Sequence, residues 1–309
     1  MPIIRNPRVF VSGGSRGIGL AIALKLAREA GAHVTIAAKT AEPHPKLPGT
    51  IYTAAKAIEE AGGTALPLVV DIRQADQVEK AIEETASKFG GIDLVINNAS
   101  AISLTDSQST SVKTFDLMHA INSRGTFLVS KLAVPHLLDS ASQGRNPHVL
   151  TLAPPLRGNL EPAMLGPSTA YAMAKFGMSL ATVGLAGELK GKVGVNALWP
   201  LTYISTEAIR MLIGSEGRDK HSRHPSIVAD AAFAMLDEEG ASYSGNFEID
   251  ELVLRHLRGL TTADLQRYSP TPDTPFSNLH EDLFIPQWVR DEVARLRGER
   301  DEDGGEGRG

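Results

Sequence analysis

Tyr171-Ala-Met-Ala-Lys175 sets a phenol and an ammonium one helical turn apart on one face. A free tyrosine has a pKa of about 10 and is a poor acid or base near neutrality. An ammonium beside it favours phenolate, so Lys175 is expected to lower that value. A phenol tuned in this way suits a proton relay to a carbonyl or alcohol oxygen. The same spacing also describes an ordinary half-buried helix pair, so its surroundings decide the matter.

A second constellation lies near the start. Ser12-Gly13-Gly14-Ser15-Arg16-Gly17-Ile18-Gly19 follows a short β-branched run and matches G-x-x-x-G-x-G. Gly13 permits a sharp turn, Gly17 lets backbone approach a pyrophosphate, and Gly19 lets a helix pack close to its strand. The helix N-terminus then offers N–H groups and a positive dipole end to phosphate. A tight strand-to-helix turn also needs glycine for its own sake. The position at the first such junction of an alternating chain is what the dinucleotide reading requires. At the close of the next strand the sequence is Ala37-Ala38-Lys39-Thr40, with no acid. A carboxylate there would bind the ribose 2′-OH of NAD, whereas a cation favours the 2′-phosphate of NADP. Lys39 and Arg16 therefore point to NADP(H), although Lys39 also fits a solvated loop lysine.

These residues need elements to position them. Strands are expected at Val9–Ser12, His33–Ala38, Ala65–Val70, Ile92–Asn97, His148–Ala153, Val193–Trp199 and Phe247–Ile249. Helices are expected from Ile18, over 51–61, 74–89, 112–138, 171–189 and near 227–239, with a terminal helix at 290–297. The stretch 202–226 reads as polar and irregular. Alternation of this kind calls for crossover connections and a parallel sheet covered on both faces. The fold class is α/β, a doubly wound Rossmann-type sheet of about seven strands in a single domain. That domain is expected over residues 1–258, followed by a surface extension over 259–297 and a disordered tail over 298–309.

Composition removes several classes of function. The 309 residues carry a net charge of −5, and 42% are hydrophobic. A mildly acidic chain lacks the broad basic patch of a nucleic-acid binder. There is no cysteine, hence no disulfide, thiolate metal site or thiol nucleophile. The longest run free of charged residues, 193–206, is too short to span a membrane. His221 and His224 have no acid cluster beside them, so no metal is expected. No secretory leader or C-terminal Ser-Lys-Leu is visible, which makes the cytoplasm the expected location.

Through the glycine turn, Asp71, Asn97-Asn98-Ala99-Ser100, Asn122 in INSRGTF and the Tyr171–Lys175 pair, the chain resembles the short-chain dehydrogenase/reductase family over residues 8–250. The resemblance implies that Gly13, Gly14, Ser15, Arg16, Gly17, Ile18 and Gly19 cradle a pyrophosphate and that Lys39 meets the 2′-phosphate. It further implies that Asp71 holds the adenine amino group and that Asn98 and Ala99 line the adenosine ribose. Tyr171 would be the general acid/base. Lys175 would bind the nicotinamide ribose and tune the tyrosine. Asn122 would hold a relay water, and Pro200 would flank the nicotinamide. The implied reaction is NADP(H)-dependent hydride transfer with a small carbonyl or alcohol partner. Ala101–Leu104, Ala163–Leu165 and Leu201–Ile213 carry few charges, so that partner is expected to be apolar. Helices 112–138 and 170–189 resemble those that form the family's homodimer and homotetramer interfaces. Met118, Ile121 and Phe127 are accordingly read as core or subunit contacts.

The sequence departs from the family pattern in three places. The fifth strand ends in Ala153-Pro154, where the family has a serine that polarises the substrate oxygen. Ser168, Thr169 or Thr151 could supply the hydroxyl, Tyr171 could act alone at reduced rate, or the protein could bind NADP(H) with weak or no catalysis. Removing one such donor can cost 10²–10³-fold in rate. Pro200-Leu201 replaces Pro-Gly, and Ser100 replaces a glycine that is expected to tolerate the change.

Overall fold

The computed structural model describes residues 3–43, 48–158 and 160–298, apart from the side chain of residue 218. Seven strands form one parallel sheet: β1 (Arg8–Ser12), β2 (His33–Ala38), β3 (Thr64–Val69), β4 (Leu94–Asn97), β5 (His148–Leu152), β6 (Gly194–Trp199) and β7 (Phe247–Ile249). Their order is β3-β2-β1-β4-β5-β6-β7. The chain leaves β1 toward one edge and returns to its other side at β4, so the strand order reverses between them. Ligands bind doubly wound sheets in the crevice at that reversal, outside the carboxyl ends of the strands. Register brings the ends together: Ser12 of β1 lies beside Ala37 of β2 and Asn97 of β4, and Asn97 beside Thr151 of β5.

Period-two alternation divides the core between the faces. Val9 and Val11 face the layer of α1 (Gly17–Ala30), α2 (Ile51–Glu60), α9 (Ser226–Leu236) and α10 (Asp250–Arg258), meeting Ile22, Leu26 and Ile58. Phe10 faces α3 (Ala75–Phe89), α5 (Ser123–Ser142) and α7 (Thr169–Glu188), meeting Ile82, Val129 and Leu185. Each such buried aliphatic or aromatic side chain stabilises the fold by about 1.5–3 kcal/mol. Pro67 is tolerated in β3 because that strand forms a sheet edge.

Three elements differ from expectation. The segment 112–138 is not one helix. α4 (Val112–Ile121) ends at Asn122 and α5 starts directly after it, although Asn122 keeps helical angles of φ −72° and ψ −71°. The stretch 202–226 is not irregular throughout. It contains α8 (Glu207–His221), capped by Thr206 and interrupted at Gly214, which has φ 78°. Residues 259–297 are not merely a surface extension. Leu265, at the end of the short α11 (Thr262–Leu265), Tyr268, Phe284, Ile285, Val289 and Val293 are all buried, the last two on α12 (Gln287–Arg297).

Glu251 anchors this segment. It accepts Arg223, Arg255 and Arg297 at 2.7–2.8 Å, and Arg223 and Arg297 both lie over Phe276. Burial alone would raise this carboxyl, but Arg297 and Arg223 hold it well below the usual carboxylate range. The tail over 299–309 lies outside the described residues.

Candidate active site

The carboxyl ends of β1, β2, β4, β5 and β6 open into a cleft of about 440 Å³. Gly13, Ser15, Arg16, Gly17, Ile18, Lys39, Asp71, Asn98, Ala99, Tyr171, Lys175 and Pro200 all line it. Gly14 and Gly19 stand just behind the wall. A Cβ on Gly19 would meet Asn98 Nδ2 at 2.5 Å and the Gly13 carbonyl at 2.8 Å, and one on Gly13 would meet Ala99 Cα at 2.9 Å. Gly13 and Gly17 have φ of 71° and 58°, a backbone region that favours glycine. Ser12 Oγ accepts the Asn98 and Ala99 N–H groups, and Asn98 Nδ2 donates to the Ser12 and Gly13 carbonyls, which locks the turn to the end of β4. α1 begins with no side-chain cap and no acid in its first turn. Its leading N–H groups therefore remain available to an anion. This cradle fits the diphosphate of a nicotinamide dinucleotide.

The adenosine end is polar. Lys39 is largely exposed and stands 3.6 Å from Asp71. Arg73 donates to both Asp71 oxygens, and chiefly through those bonds the Asp71 carboxyl is held down at about 2. Arg16 donates to the Pro48 and Gly49 carbonyls at 3.1 and 2.7 Å.

At the other end Tyr171 and Lys175 are both buried on α7. The expected lowering of the phenol by Lys175 is not found. Lys175 Nζ donates instead to the Leu152 carbonyl at 2.6 Å and lies over the Trp199 ring at 4.8 Å. Burial pushes this ammonium down to about 7, against the pull of Asp282. The same burial pushes the Tyr171 phenol up and the Asp282 carboxylate adds to the rise, while the Ser100 side chain acts against it. Half-buried Asp282 is itself raised to about 8 by burial, opposed by the Leu283 N–H. Both charges that would tune the phenol are thus costly to keep in this apolar end.

Asn122 is wholly buried beside the cleft. Its Oδ1 accepts the Ala101 N–H at 2.8 Å and its Nδ2 donates to the Ala101 carbonyl at 3.0 Å. Its side chain is occupied in fixing the loop after β4.

Ile102, Ile204, Ile209 and Leu212 form much of the remaining wall, whereas Ala163–Leu165, in the short α6 (Pro162–Leu165), does not line it. Ile121 packs against the core, as read, and also lines the cleft; Met118 is core. Leu201 replaces glycine without left-handed backbone. Its N–H donates to Asp250 Oδ1 at 2.9 Å, and its carbonyl accepts the Asp282 N–H at 3.0 Å.

Residues 279–285, which fall within the surface extension expected from the sequence, form a wall of the site. Asp282 and Leu283 line the cleft, and Trp199 Nε1 donates to the Leu283 carbonyl at 2.7 Å. Phe284 stacks on Tyr171 at 6.0 Å and meets Phe176 and Trp199 at 5.3 and 6.3 Å. The apolar run Leu283-Phe284-Ile285 was the available signal.

A parallel sheet with a glycine cradle at its reversal and a buried Tyr–Lys pair lining the same cleft is the arrangement expected of the short-chain dehydrogenase family. Comparison agrees: the family described as short chain dehydrogenase matches residues 7–212, and the chain belongs to it. Curated relatives include hydroxysteroid dehydrogenase-like protein 2 of Danio rerio, 51% identical over 93% of this chain and 66% of its own length. The Homo sapiens protein of the same name is 48% identical over 91% and 63%. The chain thus spans about two thirds or less of these relatives' length. A short chain dehydrogenase from Mycobacterium thermoresistibile is 49% identical with a TM-score of 0.81, covering 91% of this chain and 95% of its own. A short chain dehydrogenase from Burkholderia cenocepacia, solved in complex with NADP, is 25% identical with a TM-score of 0.66, covering 80% and 96%. The family is one of oxidoreductases and uses a nicotinamide cofactor.

Proposed function

We propose that the protein transfers hydride between NADP(H) and a carbonyl or alcohol carbon of an apolar small molecule. The observation that carries the cofactor choice is the end of β2, where Ala38, Lys39 and Thr40 line the cleft with Arg16 beside them and no carboxylate follows the strand. Bound nicotinamide supplies or accepts the hydride. Lys39 and Arg16 bind the 2′-phosphate, the Gly13–Gly19 turn and the head of α1 bind the diphosphate, and Asp71, Asn98 and Ala99 enclose the adenosine. Tyr171 holds the proton at its Oη and passes it to the substrate oxygen, while Pro200 and Trp199 close the floor. Ile102, Ile209 and Leu212 exclude water and favour an apolar substrate.

Binding without turnover is the second reading, motivated by Ala153 and Pro154 at the end of β5. Titration with NADPH and NADH by fluorescence, followed by a panel of aliphatic, aromatic and steroidal carbonyls, separates the two. Tighter NADPH binding with turnover of apolar carbonyls supports the first reading; binding alone supports the second; no binding of either cofactor defeats both. For assembly, Phe127 on α5 and Met173, Leu180 and Val183 on α7 are exposed apolar side chains suited to a homodimer or homotetramer contact.

A further inference from the structure

The chain leaving β6 is paired with the segment that begins at His280. The Tyr203 N–H donates to the His280 carbonyl at 2.8 Å, Thr202 and Glu281 form an antiparallel bridge, and the Asp282 N–H donates to the Leu201 carbonyl at 3.0 Å. Trp199 Nε1 then holds the Leu283 carbonyl at 2.7 Å, and Phe284 stacks on Tyr171. These contacts fix Asp282 at the Tyr171 end of the cleft, where its half-buried side chain forms part of the wall. Its Oδ1 accepts the Leu283 N–H at 2.7 Å. Among the described residues, no hydrogen bond or ion pair reaches its other carboxyl oxygen.

Much of the same wall is apolar, and a polar group that enters such surroundings without a partner costs free energy. Lys175, the cation that lines this end, is turned instead to the Leu152 carbonyl and the Trp199 ring. A molecule in the cleft is left to supply the partner. Near neutral pH the carboxyl is present both protonated and ionised, because burial raises it to about 8. The protonated form donates and accepts, whereas the ionised form only accepts. A hydroxyl does both and matches either form. An ammonium matches the ionised form alone and would enter an apolar end that already holds Lys175.

We propose that Asp282 is a specificity-determining residue that hydrogen-bonds a hydroxyl of the substrate, so that the substrate class is an apolar hydroxy-carbonyl compound, or the matching diol in the reverse direction. The proposal rests on the reading of the cleft as a carbonyl/alcohol oxidoreductase. Asp282 selects which molecule is held before Tyr171, and the hydride and proton steps are unaltered. A site that hydrogen-bonds one substrate group rejects the analogue lacking it, because its own polar group is then left unpaired. The carboxyl is held in place by backbone bonds of the fold, so its position is set before any substrate arrives.

The test compares 3- and 4-(hydroxymethyl)benzaldehyde with the corresponding methylbenzaldehydes, by NADPH consumption in the full chain. The readout is the ratio of kcat/KM between hydroxylated and plain aldehyde, which cancels any effect on the Tyr171 step common to both. The unmodified protein is expected to prefer at least one hydroxymethyl isomer by about tenfold. Asp282→Leu removes that preference. Asp282→Asn, whose amide also donates and accepts, keeps most of it. No preference in the unmodified protein, or an unchanged one in Asp282→Leu, overturns the proposal and leaves the oxidoreductase reading standing. An equal loss in Asp282→Asn and Asp282→Leu overturns the hydroxyl as partner, as does a stronger preference for the dimethylaminomethyl analogue. Absence of turnover in the unmodified protein, with these aldehydes and the wider carbonyl panel, overturns both readings.

Discussion

Phe284→Ala and Phe284→Gly together test whether residues 279–285 are built into the site. Phe284 is 4% exposed and sits among Tyr171, Phe176 and Trp199. Removing a buried phenylalanine typically costs about 3–5 kcal/mol in lost transfer energy and residual cavity. Phe284 also has φ of 62°, the left-handed region that an L side chain occupies at a cost. Glycine escapes about 1 kcal/mol of that cost whereas alanine does not. The expectation is an unusual order, with Phe284→Ala the less stable variant although both delete the ring. At roughly 2 °C per kcal/mol for a domain of this size, Tm falls by roughly 6–10 °C in Phe284→Ala, and Phe284→Gly recovers part of it. Differential scanning calorimetry of both variants measures this. Tm within about 2 °C of wild type in both would refute the packing of this segment on the Tyr171 end, since burial of a ring cannot be lost so cheaply. Equal losses would refute the backbone assignment alone.

Further expectations concern the cleft and the core. Lys39→Asp exchanges the 2′-phosphate partner for a 2′-OH acceptor, so the ratio of NADPH to NADH affinity falls by about tenfold or more, read by fluorescence titration; an unchanged ratio removes Lys39 from cofactor choice. Gly19→Ala forces its Cβ against Asn98 and the Gly13 carbonyl, so it lowers both Tm and NADPH affinity; full retention of both contradicts the tight turn. His148, buried at the start of β5, is pushed down to about 4 by burial, against its bond to the Glu238 carbonyl. Its folded value lies below the ordinary 6.5, so the stability is fully present above about 6.5 and is lost as pH falls toward 4, an expected loss of about 3 kcal/mol. Urea unfolding across that range, with the His148 ring followed by NMR, checks it; a ring titrating near 6.5 contradicts it.

What was legible in the sequence was what local pattern encodes. β2 and β7 begin and end where the β-branched and apolar runs do, and the glycine turn falls at the sheet's reversal because only glycine satisfies both its backbone angles and its close packing. What was not legible depends on distant partners. The junction at Asn122, whose side chain bonds both backbone groups of Ala101, is marked by nothing in the helical pattern of 112–138. α8 escaped notice because its polar composition and Gly214 erase any apolar stripe. The tuning of Tyr171 was misjudged because spacing shows that Lys175 is near but not that its ammonium is turned to Leu152 and Trp199. Phe284 stacks on Tyr171, and an apolar run in a C-terminal segment does not say what it will face.

Everything proposed for this cleft depends on its using NADPH to reduce a carbonyl with Tyr171 as the proton donor. The most direct measurement is NADPH consumption by wild type and Tyr171→Phe on the same carbonyl, with cofactor affinity measured in parallel. The expected result is a kcat loss of about 10²–10⁴-fold with NADPH still bound. Equal turnover in the two proteins would contradict it.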